Sequence, residues 1–269
     1  MNSGSISTRL QKVTAAVGVA TMLFMVTSCS TGTAQVAPSP DSSSSASASP
    51  SSTPTTPAVS KPGDVINGIP TKAELANDGK GDYIQTTISD DDPAMIFNPD
   101  LSIGTVPGLY TDADTAEAQK VIMRFIAEEG IDSTLNNNSL DLATIDAWWA
   151  KNKDRINPAN HDEFYSSLVK PDFFYAFVMR TQHRTAEFAY GADKTRVTAR
   201  TLTPKSHWTN SDKGIDYIGF EVEARFSMAL VEGETVKQEN VKATFIYSVT
   251  RSSTGELVLS GYQNTFHFE

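Results

Sequence analysis

One cysteine, four histidines and 32 carboxylates, spread over 269 residues, are the groups from which this chain could build a reactive centre. The lone thiol, Cys29, can neither close an internal disulfide nor supply a thiolate cluster for zinc or iron–sulfur. His161, His183, His207 and His267 show no metal-ligand spacing. Asp90-Asp91-Asp92 and the pair Asp112 and Asp114 lack the alternating ligands and central glycine of a calcium loop, so the first is expected to be a solvated turn and the second a helix start. No serine stands in Gly-x-Ser-x-Gly, which argues against the common serine hydrolases. Asn77-Asp78-Gly79-Lys80-Gly81-Asp82 has glycines but not the spacing of a phosphate loop, and reads as a turn. With 22 basic residues against 32 acidic ones the chain carries a net charge of -10, which argues against a nucleic-acid partner because nothing neutralises phosphate. No metal or cofactor is implied.

The thiol has a different use at its own address. Arg9 and Lys12 precede the apolar run Val13 to Val26, and Thr27, Ser28 and Cys29 follow it. A basic start, a short apolar stretch and small residues before a cut describe a secretory signal, and the run is too short to cross a bilayer. Val26-Thr27-Ser28-Cys29 resembles the bacterial lipobox, in which an aliphatic residue, two small residues and a cysteine are read by the lipoprotein-processing enzymes. The resemblance implies that residues 1–28 are removed and that the Cys29 sulfur carries a diacylglyceryl group. It also implies that palmitate-type chains hold the exported protein on the outer face of the cytoplasmic membrane. Two chains matter, because one alone binds a membrane only marginally. An ordinary signal peptide with an incidental cysteine is the alternative.

Residues 29–62 continue as a tether. From Ser30 to Pro62 the chain is almost entirely Ser, Thr, Ala and Pro, with no aromatic residue and one acid, Asp41, so it cannot bury enough surface to offset its ordering entropy. As a random coil it spans roughly 30 Å, and drawn toward polyproline geometry on the order of 100 Å. Such spacers look like those of surface lipoproteins from high-GC Gram-positive bacteria. Removing the first 62 residues sharpens the charge, since they hold only Arg9, Lys12, Lys61 and Asp41. Residues 63–269 retain 19 basic and 31 acidic residues, a net of -12.

Residues 63–111 are rich in Gly, Pro, Asp and Asn and read as an irregular extension packing on the domain, with one short strand. From 112 to 269 the pattern is regular. Asp114-Thr115-Ala116-Glu117 has capping-box spacing, and Ala118, Val121, Ile122, Phe125 and Ile126 follow at helical intervals until Gly130. Shorter helices are expected at 140–154, 159–169 and 171–181, the last with Pro171 at its first position. After Gln182 the period becomes 2. A type II′ turn at Gly233-Glu234 pairs Ile218 with Val249, Phe220 with Tyr247, Val222 with Phe245, Ala224 with Ala243 and Phe226 with Val241. A turn at Thr254-Gly255 pairs Tyr247 with Tyr262 and Phe245 with Asn264. A loop at Gly191–Lys194 pairs Phe188 with Val197. Near the Gly233 tip, Met228 and Leu230 face Glu239 and Lys237, which suggests a protruding tip or a bulge.

The expected fold is therefore α+β, with helices first, packed on a curved antiparallel sheet of four to six strands. This order, a long helix, short helices, a hairpin and a three-stranded meander, resembles the nuclear transport factor 2-like superfamily of cone-shaped domains, which includes scytalone dehydratase and ketosteroid isomerase. A cystatin-like arrangement is the nearest rival. The catalytic members place an Asp or His base opposite Tyr or protonated Asp donors inside the cone. Here the inward positions deduced on the two central strands carry no base.

Tyr190, Phe220, Tyr247, Tyr262 and Asn264 are the candidate pocket residues, able to orient a small apolar ligand. Trp148 and Trp149 are adjacent on one helix, so one belongs to the core; Trp149 and Trp208, the latter in a loop from Pro204 to Gly214, are candidate partner-binding aromatics. Two functions follow: a non-catalytic, lipid-anchored binding module serving an envelope protein or a small ligand, or a small-molecule isomerase or dehydratase with Glu187, Asp216 or Glu223 facing inward. A structural spacer without a partner differs from the first only in having nothing to bind. The resemblance also implies a homodimer through the open sheet face, which carries Glu221, Glu223, Arg225 and Lys242.

Overall fold

The computed structural model of the chain describes residues 65–136, 141–169 and 187–269, all within the unit Thr56–Glu269. Cys29, the tether and the helix expected at 171–181 lie outside these residues. Five short strands come first: β1 (Val65–Ile66), β2 (Ile69–Pro70), β3 (Ala73–Asn77), β4 (Asp82–Thr86) and β5 (Ser102–Gly104). Three helices follow, α1 (Asp112–Phe125), α2 (Leu142–Asn152) and α3 (His161–Val169), and then strands β6 (Glu187–Phe188), β7 (Val197–Asp212), β8 (Ile215–Glu232), β9 (Thr235–Arg251) and β10 (Leu257–Phe268). The described residues thus form a mixed α+β structure with one large sheet ordered β10-β9-β8-β7-β5, in which β6 also pairs with β8.

The extension is more regular than its composition suggests. Asn67 and Gly68 both adopt positive φ, 53° and 79°, and close β1 onto β2 as a two-residue hairpin of the Asn-Gly type. β3 and β4 form a second hairpin around Asp78–Gly81, and β5 runs parallel to β7. Five strands therefore replace the single one expected.

α1 begins one turn earlier than the spacing of Asp114 and Glu117 implies. Thr111 is the N-cap: its hydroxyl accepts from Asp114 N at 3.2 Å, while the Asp114 carboxylate accepts from Thr111 N at 2.8 Å. Asp serves at the third position, and Asp112 and Asp114 together place negative charge on the first turn. At its far end α1 widens into a π-helical turn, Ile126–Ile131, instead of stopping at Gly130. A Cβ at Gly130 would stand 3.0 Å from the Phe245 ring, so glycine lets this turn press directly onto β9.

The β8–β9 register is the one expected, from Ile218 opposite Val249 to Glu232 opposite Thr235. Gly233, at φ 63°, supplies the turn. Ile218, Phe220, Val222, Ala224, Val241, Ala243, Phe245 and Val249 are all buried beneath α1, which packs on β8, β9 and β10. The tip carries no bulge between β8 and β9, and Met228 and Leu230 are buried there in the core, with Asn136 Nδ2 3.8 Å from the Met228 sulfur.

Three expectations are corrected. β6 does not pair with β7: Phe188 lies opposite Leu230, so β6 and β7 share the same edge of β8. The segment Pro204–Gly214 is not a loop, since β7 runs on to Asp212 and turns at Lys213-Gly214, both at positive φ. Pro204 is tolerated because the register shifts by one between it and Ser206, a bulge needing no ladder donor there. The β9–β10 pairing has Tyr247 opposite Tyr262 and Phe245 opposite Asn264 as expected, but only beyond a shift between Leu259 and Gly261. Closer to the turn, Leu257 meets Arg251.

Candidate functional site

Of the candidate pocket residues, Phe220, Tyr247 and Asn264 are buried in a packed interior. Phe220 faces the His207 ring at 5.6 Å, and Tyr247 lies edge-on between Phe125 and Phe245 at 5.8 Å from each. The Tyr247 hydroxyl accepts from Asn264 Nδ2 at 3.1 Å, and burial pushes its pKa well up. Tyr262 is half-buried against Phe164, with ring centroids 4.8 Å apart. Tyr190 belongs to another set altogether, since its hydroxyl donates to Asp78 at 3.0 Å. The five residues do not line one cavity.

Tyr190 instead marks a buried polar centre that sequence reasoning misses. Arg196, 1% exposed, is ion-paired with the Asp78 carboxylate, and its guanidinium stacks 3.4 Å from the Tyr83 ring centroid and 4.6 Å from that of Phe188. Asp78 also accepts from Lys80 N and Gly81 N, so one side chain both shapes the β3–β4 turn and neutralises a buried cation from just ahead of β7. Next to it, Asp132 accepts from Thr86 N at 2.8 Å and Thr86 Oγ1 at 3.1 Å, while Tyr83 Oη and Gln85 Nε2 donate to the Asp132 carbonyl. Burial raises the Asp132 pKa to about 6 against the pull of the Thr86 donors and of Arg196. Arg200 donates to the carbonyls of Thr86 and Thr87.

A third carboxylate, Glu129, lies in the π-helical turn. It accepts from Trp148 Nε1 at 2.6 Å and from Ser133 Oγ at 3.2 Å, and burial shifts its pKa upward. Trp148 is thus the core member of the tryptophan pair, as one of the two had to be. Trp149 is half-buried, edge-on to His161 and Tyr165 at 5.3 Å and 5.4 Å.

Two register shifts in β7 set its inner face: the one between Val197 and Ala199 puts Arg200 opposite Phe226, and the one between Pro204 and Ser206 puts His207 opposite Phe220. His207 packs between Phe97 and Phe220, and burial lowers its pKa, favouring the neutral ring. Glu187, Asp216 and Glu223 do not face inward. The first two are exposed, and Glu223 lies on the outer face with Arg225 and Lys242 at 3.3 Å and 3.7 Å. A cleft of about 570 Å³ opens elsewhere, between the Glu74–Asn77 segment of β3 and the Ala143–Lys151 side of α2, with Gln85 and Trp148 among its lining residues.

Among the described residues no group of three or more His, Cys, Asp or Glu is placed to hold a metal ion, and no helix is long and apolar enough to cross a membrane. No family model, curated protein or solved structure matches the chain.

Proposed function

We propose that the protein is a lipid-anchored, extracytoplasmic module of the cell envelope that binds a partner and catalyses no reaction, with its folded part a cone-type domain of the nuclear transport factor 2-like kind. The observation that carries most weight is the employment of the interior carboxylates. Asp78, Glu129 and Asp132 are all enclosed, and guanidinium, indole and Thr86 donors tie them to the extension, the π-helical turn and the sheet; Asp132 Oδ1 alone has no partner among the described residues, and it too is shut off from any cleft. A general base must instead present a lone pair to substrate in a cleft. The sequence Val26-Thr27-Ser28-Cys29 and the tether behind it support the anchor, and the order of long helix, short helices and meander supports the cone.

The test is photocrosslinking of the full chain, expressed with its own signal, from a crosslinking amino acid at exposed position 210 on the outer face of the sheet or at exposed position 234 on the hairpin tip. One discrete adduct from position 210 and none from 234 is the expected result. Equal or absent labelling from both would count against a binding module.

A further inference from the structure

We propose that the outer face of the sheet holds a site for an arginine side chain of a basic partner protein, built from Trp208, Tyr217 and Glu221. The inference rests on the binding-module reading and names the chemistry of the partner. On β8, Tyr217, Gly219 and Glu221 share the outer face, because Ile218, Phe220 and Val222 between and beside them are buried on the inner one. Trp208 lies opposite Gly219 on β7. Its indole occupies the place a side chain at 219 would take: a Cβ there would stand 2.3 Å from Cε2 and Cζ2 and 2.6 Å from Nε1. The ring therefore reaches across β8 between the tyrosine and the carboxylate.

Its neighbours along the same transverse row are low. Gly104 pairs with Trp208 on one side, and no atom comes within 4 Å of a Cβ built there. On the other side the row continues through Ser248 and Gly261. The half-buried indole is thus the one bulky group in a shallow trough, a place where a planar group can lie against it.

Charge selects the occupant. Glu221 is half-buried and accepts from Ser206 Oγ at 3.5 Å, yet no described Lys, Arg or His comes within ion-pair distance of it. Its neighbour Glu223 is already shared by Arg225 and Lys242, and Lys205, in the β7 bulge, also acts on Glu223. A carboxylate without its cation, next along the outer face of β8 to the position the Trp208 ring covers, on a domain of net charge -12, is complementary to an organic cation. A guanidinium fits better than an ammonium because it is planar, less tightly hydrated and able to stack on indole while its fork donates to a carboxylate.

The full chain, held in non-ionic detergent and labelled with 5-fluorotryptophan, tests this by fluorine NMR. The chain has three tryptophans, and Trp208→Phe assigns the resonance of interest. Blocked tri-arginine should shift the Trp208 signal saturably, blocked tri-citrulline should not, and tri-lysine should bind more weakly. Glu221→Gln should weaken tri-arginine binding by about tenfold, as expected for the loss of a charge-assisted pair, whereas Glu234→Gln at the hairpin tip should change it less than about twofold. Equal weakening by the two substitutions, an unmoved Trp208 signal, or tri-lysine binding as well as tri-arginine would each overturn the proposal. The crosslinking result from position 210, which leaves Trp208 in place, stands apart from this outcome, so a module that binds a partner of other chemistry is told from one that binds nothing.

Discussion

Arg196 holds together pieces of chain that are far apart in sequence, since it pairs with Asp78, 118 residues away, and stacks on Tyr83 and Phe188. Removing one member of a buried pair leaves the other charged in a dry site, which costs about 3–5 kcal/mol. Arg196→Met should therefore lower the unfolding free energy by that order. Adding Asp78→Asn should recover part of it, because the amide oxygen keeps the turn bonds to Lys80 and Gly81 without a stranded charge. Urea titration of the two variants decides the matter, and strictly additive losses would show that the pair is not coupled.

Asp132 makes a pH signature. Its folded pKa of about 6 lies above the ordinary 3.8, so the folded state binds that proton more tightly than the unfolded one. Stability must then fall as pH rises from about 4 to about 6 and stay level above, with Glu129, also raised by burial, acting in the same direction. Asp132→Asn removes the Asp132 share. Relative to the parent, this variant should gain stability between pH 4 and pH 7, by on the order of 3 kcal/mol at most. Parallel stability-against-pH curves for the two proteins would contradict the assignment.

At the scale of elements, β8 and β9 were legible because every cue agreed: strict alternation from Ile218 to Phe226, apolar partners from Val241 to Val249, and Gly233 where a II′ turn needs positive φ. β7 was not legible. Pro204 reads as a strand breaker, and two register shifts exchange the faces along the strand: the one between Val197 and Ala199 hides Arg200 as an inward group, and the one beside Pro204 hides His207 and puts Trp208 outward. A bulge costs the sequence one residue and leaves no compositional mark. Gly219 is the exception that can be read backwards from the structure. Gly219→Val should displace the indole of Trp208 and destabilise the protein by about 1–3 kcal/mol, as overpacking does. A fluorine spectrum in which the Trp208 resonance stays in place would show that the ring does not depend on the glycine. The candidate pocket failed for a related reason: parity put Phe220, Tyr247 and Asn264 on the inner face correctly, but whether a face lines a cavity or a packed core depends on what α1 and its π-helical turn bring against it.

For the whole molecule, the proposed anchor makes a prediction independent of the fold. Cys29→Ser should leave the secreted domain folded but release it from the membrane fraction, and a palmitate analogue fed to the cells should label the parent and not the variant. Membrane retention of the serine variant would point to an uncleaved signal or a protein-mediated attachment. In the proposed reading the low-complexity segment and the net charge of -12 act at this scale as well, the first by giving the domain reach and the second by drawing a basic partner toward it at low salt.

The sequence by itself determined what depends on neighbours along the chain: the apolar periods of the helices and central strands, the turn at Gly233, the low-complexity tether and the acidic balance of the domain. Only the tertiary structure decided which charges are buried and which residue answers each. Asp78 sits in a glycine-rich stretch that reads only as a turn, and Arg196 stands between a loop and β7 with no local sign of burial. They meet because β3–β4, the π-helical turn and β7 converge on one place, and a buried charge is stable only where its partner arrives with it.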